Sequence, residues 1–342
     1  MGSSRPAAIS WEIKYARLQH PHNGLYLPSL AITFVNKRNS ITIMLTLLYN
    51  FRSLIYMTAL PNVKHLTHLK YRADIDGLRA VAVLSVVGFH AFPNFIKSGF
   101  IGVDIFFVIS GFLISSIIFG NLEHRSFNYS EFYVRRIKRI FPALIAVLLT
   151  SLCFGWYVLL ANEFQQLGKH VAAGTAFISN FALWNESGYF DNAAETKPLL
   201  HLWSLAIEEQ FYIFWPVLLG IVWKRRWNFL VITTAIALIS FAINIYSSFD
   251  NPVATFYSPL SRFWELMIGG VLAYLTIHKK NYVNKHPNIQ SLLGFMLLAI
   301  GFYFIVSRNT YPSYWALLPV LGTFFIISGG SNAWLNRTFL SN

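Results

Sequence analysis

The sequence predicts an all-α membrane protein: a polytopic helix bundle of about eight spans, with one further segment that is re-entrant or interfacial. Three observations carry this reading. Apolar residues make up 55% of the 342 positions, aromatic residues 17% and charged residues only 12%, about half the charged share of a soluble domain. A soluble chain of this length would lack the polar surface to cover its core. Secondly, windows of the roughly 17–25 apolar residues needed to cross a bilayer recur along the chain. Thirdly, Lys and Arg are divided unequally between alternate loops. Sixteen lie in 64–79, 121–139, 224–228, 278–288 and 331–342, against five elsewhere among the loops, namely Lys97, Lys169, Lys197, Arg262 and Arg308. The positive-inside rule places the first set in the cytoplasm. The net charge of +13 is therefore mainly a topology signal, and the partner it implies is a lipid bilayer rather than nucleic acid.

Residues 1–70 form an N-terminal extension, basic and loop-like to about Ser40, followed by an apolar run over 41–60 that Asn50 and Arg52 interrupt. The run begins too far into the chain for a secretory signal. It reads as an extra span, an interfacial helix, or upstream sequence before an alternative start at Met57, and no function is assigned to it. Residues 71–342 form the membrane domain.

The first expected span, 78–94, carries Arg79 and His90. Eleven residues are close to three helical turns, so both project from nearly one face, about 16 Å apart along the axis. Arg79 then lies at the cytoplasmic boundary, where a guanidinium suits a phosphate, and His90 in the outer half, where an imidazole suits general-base work on a hydroxyl. The plainer alternatives are an arginine reaching lipid phosphate and a histidine bonded to a neighbouring carbonyl. The second span, 100–120, opens with Asp104 at roughly the depth of His90, where a carboxylate could orient an imidazole. Ser110, Gly111 and Ser115 read as small residues for close helix approach. Arg135, Arg136, Lys138 and Arg139 occupy the loop before the third span, 140–160, with Pro142 in its tolerated first turn. They form either a phosphate cradle built on Arg136 and Arg139 or a topological anchor. Cys153, the single cysteine, sits within that span as inert packing and rules out both a disulfide and a multi-cysteine metal site.

The stretch 166–184 is long enough to cross but carries Lys169, His170 and Asn180. Counting crossings keeps it on the outer side, with 185–200 outside and Lys224–Arg226 inside. The fourth span, 203–223, is the most specific. His201, Ser204 and Glu208 share a helical face at i, i+3 and i+7, flanked by Glu209 and Tyr212. Paired carboxylates inside a membrane are costly and need partners, which marks the group as a functional candidate. A fifth span covers 229–247. The sixth, 262–277, opens with Arg262 and Glu265 as an i, i+3 pair of opposite charge near the outer face. The last two cover 289–306 and 313–330.

In this order the residues resemble integral-membrane acyltransferase family three. The resemblance covers about 71–342 and rests on Arg79 with His90, the run Gly102-Val-Asp-Ile-Phe-Phe-Val-Ile-Ser-Gly-Phe-Leu113, Arg136-x-x-Arg139 ahead of Pro142, Trp203-Ser-Leu-x-x-Glu-Glu-Gln-Phe-Tyr212, and Arg262-Phe-Trp-Glu265. It implies a cytoplasmic acyl-CoA co-substrate, acetyl-CoA in the first instance, and an extracytoplasmic carbohydrate acceptor. In the family's pattern His90 matches an essential histidine, and Arg79, Arg136 and Arg139 match conserved basic positions. Members commonly have about ten spans, so the resemblance implies that the final ones are missing here. Some members carry an external serine-esterase-like domain, so a separate esterase-like partner is also implied.

The functional expectation is an O-acyltransferase of the bacterial cytoplasmic membrane, with no bound cofactor and no metal. Arg79, Arg136 and Arg139 hold the donor's phosphates. His90, supported by Asp104 or by Glu208 and Glu209, deprotonates the acceptor hydroxyl or relays the acyl group. His201, Ser204, Tyr212, Arg262 and Glu265 complete the substrate site. A transporter or flippase for a polar substrate would also retain such residues, but no duplicated halves are visible. A hydrolase built on Ser204 lacks the glycines of a nucleophile elbow.

Overall fold

A computed structural model describes residues 71–187, 197–279, 285–306 and 310–341. The apolar run over 41–60 lies outside the described residues, as does most of the loop expected outside after Trp184. The described residues are mostly helical, with no strand among them. Eleven α-helices follow in order: α1 Ala73–Ala91, α2 Gly102–Glu123, α3 Tyr129–Val158, α4 Ala161–Thr175, α5 Ser179–Glu186, α6 Leu202–Arg225, α7 Phe229–Asp250, the short α8 Pro252–Tyr257, α9 Pro259–His278, α10 Pro287–Phe304 and α11 Leu317–Gly329.

Six of these, with α2 counted from Gly99, are long and apolar enough to cross a membrane: α2, α3, α6, α7, α9 and α10. All eight expected windows fall on helices, but the count of eight reduces to six for two physical reasons. Helix α1 has the length at 19 residues but carries Asp74, Asp76 and Arg79. The last helix, with its preceding 3-10 turn, runs only over Ser313–Gly329. The stretch 166–184 is split between α4 and α5, of 15 and 8 residues. Neither reaches the roughly 20 residues that a single crossing requires. Phe177 sits at the break with φ 54°.

Local chemistry sets the helix ends. Prolines open α8, α9 and α10 at the first turn, where their missing N–H costs nothing. Asn228 and Asn251 cap α7 and α8 by accepting from Val231 N and Ala254 N. The third helix corrects an expectation. It starts at Tyr129, not near Pro142, so the basic cluster lies on a helix and Pro142 lies inside it. Asn128 Oδ1 accepts from Ser130 N and Glu131 N at 3.0 and 3.4 Å, and Glu131 pairs with Arg135 one turn on. Nucleation therefore falls upstream, and the helix continues through the proline.

The described residues divide into two compact units, one with 143–172 and the other with 71–142 and 173–341. In the smaller, Trp156 meets Phe164 edge to face at 5.7 Å and Gly155 lies under Leu167. Cys153 is exposed on its helix. The expected buried thiol is instead an outward-facing one, because the apolar run around it is lipid-facing in character rather than core.

The larger unit is built around α2, whose apolar window is 72% buried. Helices α2 and α9 run parallel, with Gly111 against Leu266 and Ser115 against Gly270, then Phe119 by Tyr274 and Glu123 by His278. A Cβ on Gly111 would sit 1.9 Å from Leu266 O, and one on Gly269 would sit 2.1 Å from Val108 O. Only glycine permits this approach, the device expected where no hydrophobic force draws helices together. Helix α6 also runs parallel to α2, since Ser110 meets Glu208 and Ser115 meets Trp215. Helix α7 returns antiparallel to α9, with Ser240 beside Leu260 and Trp264 and Phe229 stacked on Tyr274. Helix α1 packs antiparallel to α2 across the short turn at Gly99. The end of the bundle where α1 finishes and α2, α6 and α9 begin is called the upper end below.

Candidate active site

Three polar groups occupy the interior and upper rim of the larger unit. The uppermost is a histidine pair. His90, in the last turn of α1, and His201, at the N-cap of α6, place their ring centroids 4.5 Å apart, edge to face. Both residues are exposed. Partial burial, and then the neighbouring His90, hold the His201 imidazole below the usual histidine value. His201 is therefore largely neutral at pH 7 and can accept or donate one hydrogen bond.

The second group lies deeper. Glu208 follows His201 by seven residues, about 10 Å along the helix. Ser110 Oγ donates to its Oε1 at 2.7 Å, and the Tyr212 hydroxyl shares this hydrogen bonding. Arg79 and Arg139 act electrostatically on Glu208, and Arg136 acts on Glu209 and Tyr212. Arg79 also pairs with Asp76 at 3.6 Å. Tyr133 donates to Ile213 O at 2.9 Å and holds the first half of α3 along α6. Arg136 Nε and Glu209 Oε1 are buried without a protein partner. Three guanidinium groups thus lie within electrostatic reach of two adjacent carboxylates.

The third group is fully enclosed. Arg262 Nη1 donates to Asp104 Oδ1 at 2.9 Å and Glu265 Oε1 at 2.7 Å. Tyr311 donates to Asp104 Oδ2 at 2.5 Å. All three charged residues are at most 1% exposed. The guanidinium lies 5.2–5.7 Å from the ring centroids of Phe256, Tyr311 and Trp203, close enough for cation–π attraction.

These positions revise the expected partnerships. Asp104 does not orient His90, because Arg262 and Tyr311 take both of its oxygens. Glu208 and Glu209 do not support His90 either, since they lie beside the arginines. His201 is what faces His90. The reason is depth: the ring contact fixes His90 level with His201, while Glu208 lies about 10 Å further down α6 and Arg79 about 16 Å further down α1. Ser204 donates only to His201 O on its own helix, at 3.2 Å, so Ser204, His201 and Glu208 form no triad. Arg262 and Glu265 pair as their spacing foretold, but they are sealed within the core. That geometry suits positioning α2 against α9 rather than touching a substrate.

Ser110 and Tyr311 escaped the sequence reading. Ser110 carried only a packing signal, and Tyr311 belongs to a loop without any charge pattern. Gln210 was also missed. It donates to Phe177 O and Asn180 Oδ1 at 2.8 and 2.9 Å, fastening the α4–α5 break to α6. Among the described residues no group of three or more His, Cys, Asp or Glu side chains could hold a metal.

A family model described as an acyltransferase domain, of acyltransferase family 3, matches residues 72–341. The chain is 36% identical over 254 residues to a Bacillus subtilis protein provisionally named as peptidoglycan O-acetyltransferase YrhL, covering 69% of this chain and 39% of that one. It is 32% identical over 288 residues to a Staphylococcus aureus protein provisionally named as an O-acetyltransferase, covering 79% and 47% respectively. A Haemophilus influenzae protein with no named activity is 37% identical over 240 residues, covering 66% of this chain and 96% of that one. The chain therefore spans less than half the length of the two relatives whose names give an activity. No solved structure shows a significant match. With several helices long and apolar enough to cross a membrane, and a family model that matches residues 72–341, this chain belongs to acyltransferase family 3.

Proposed function

We propose that the chain transfers an acyl group, acetyl in the first instance, from a cytoplasmic acyl-CoA to a hydroxyl of an extracytoplasmic carbohydrate in the bacterial inner membrane. Peptidoglycan, O-antigen and exopolysaccharide are the acceptor classes. One observation carries the reading: a basic group and a histidine pair lie at different depths of the bundle, with Arg79 and His90 about 16 Å apart along α1 and His90 against His201. The distribution of Lys and Arg puts the Arg79 end toward the cytoplasm. An anionic nucleotide donor would thus meet Arg79, Arg136 and Arg139 first.

In this mechanism the arginines bind the donor's phosphates through bidentate hydrogen bonds. His90 takes the proton of the acceptor hydroxyl as its oxygen attacks the thioester carbonyl, and His201 holds the imidazole in place. The tetrahedral adduct collapses with loss of the CoA thiolate, and protonated His90 returns a proton to it. The products are the ester and free CoA, and no proton is gained or lost overall. In a variant of the scheme, the acyl group passes to a separate esterase-like partner that completes the transfer.

Sided delivery of the donor tests this reading. Radiolabelled acetyl-CoA supplied to inside-out and right-side-out membrane vesicles should yield labelled carbohydrate only when it reaches the cytoplasmic face. Equal labelling from both faces, or labelling only from the outer face, would overturn the proposed arrangement.

A further inference from the structure

At the lower end of the bundle, α6 stops at Arg225 and the next residue, Arg226, adopts a left-handed backbone with φ 56°. Arg226 N donates to Trp223 O and Trp227 N to Val222 O. This is the hydrogen-bonded helix stop in which glycine is the usual residue, because a side chain there is strained. An arginine in that place lines a cleft of about 630 Å³, whose other lining residues include Trp223, Trp227, Phe229, Tyr274 and Lys279. We infer that this cleft binds the phosphate headgroup of an anionic phospholipid.

Charge, backbone and apolar surface all support this ligand. Arg226 and Lys279 line the cleft, and Lys224 and Arg225, the two exposed residues before Arg226, add positive charge at this end of α6. The nearby acidic group, Glu123, is engaged by His278 at 2.9 Å. The first turn of the 22-residue α7 forms one wall, and helix-start amides favour anions. Trp223 and Trp227 are 42% and 57% exposed, amphipathic rings of the kind that settle at headgroup depth. Beyond the cleft the helices continue with exposed apolar side chains, Val217 and Ile221 on α6 and Val231 and Leu238 on α7. Acyl chains need such surface and a soluble phosphate does not.

The cleft is separate from the candidate active site. Leu219, on its wall, lies eleven residues beyond Glu208, about 16 Å along α6. Between them Trp215 is fully buried, donates from Nε1 to Ser115 Oγ at 2.7 Å and stacks on Phe211. The inference rests on the membrane reading of the helices and is independent of acyl transfer.

Native mass spectrometry of the purified full chain, in micelles doped with phosphatidylglycerol and phosphatidylcholine, tests it. The double variant R226G/K279A removes both charges, and glycine at 226 relieves the left-handed strain, so the fold is retained. The parent should retain phosphatidylglycerol in preference, and the variant should lose roughly tenfold or more of that preference. An unchanged preference in the variant would overturn the proposal. So would displacement of the lipid by inorganic phosphate or coenzyme A, which would assign the cleft to a soluble phosphate.

Discussion

Replacing Arg262 by methionine separates a positioning role from a substrate-binding one. The side chain is 1% exposed and serves two carboxylates, the Phe256 carbonyl at 3.4 Å and three aromatic faces. Methionine keeps much of the apolar volume but leaves Asp104 and Glu265 buried together, with the Tyr311 hydroxyl as the remaining donor to Asp104. Stranding one half of a buried ion pair costs about 3–5 kcal/mol. That is roughly a hundred- to a few-thousand-fold in the folding equilibrium, and a fall of roughly 6–20 °C in Tm at the usual conversion for larger domains. Thermal unfolding in detergent, followed by size-exclusion fluorescence, measures the loss. The triple variant R262M/D104N/E265Q removes the stranded charges and should recover more than half of it, because neutral replacement of a buried pair is often close to harmless. A single variant with an unchanged Tm but a raised KM for donor or acceptor would refute this reasoning and make Arg262 a substrate ligand.

Three further outcomes are expected. The variant H90A should lose acyl transfer while inserting and unfolding like the parent; near-normal glycan acylation by mass spectrometry would remove His90 from the chemistry. The variant R136K/R139K keeps the charge but not the planar fork, so the KM for acetyl-CoA should rise several-fold with normal membrane topology, and an unchanged KM would reduce the pair to an anchor. Since the folded His201 lies below its unfolded value near 6.5, the folded state binds fewer protons in that window, and stability is lost as pH falls from about 6.5 toward the folded value. The variant H201Q should flatten that part of the Tm–pH curve, and an identical slope would show that another group titrates.

The helical membrane architecture was legible in the sequence alone. Hydropathy windows depend only on local composition, so they located every long helix, and the costly charges pointed both to Asp104, Glu209, Arg262 and Glu265, which the fold buries, and to His90 and His201, which stay exposed at the upper rim. Charge spacing also foretold the Arg262–Glu265 pair, because i, i+3 neighbours on one helix meet whatever the tertiary structure. Partner choice between helices was decided elsewhere. Whether Asp104 serves His90 or Arg262 depends on the parallel seating of α2 on α9, which Gly111 and Gly269 permit through backbone contact that no local pattern encodes. Whether Glu208 reaches His90 or instead feels Arg79 depends on how α1 and α6 sit along one another. The recruitment of Ser110 and Tyr311 has the same origin: each is an ordinary residue in its own segment, and becomes a hydrogen-bond donor to a buried carboxylate only once distant helices have packed.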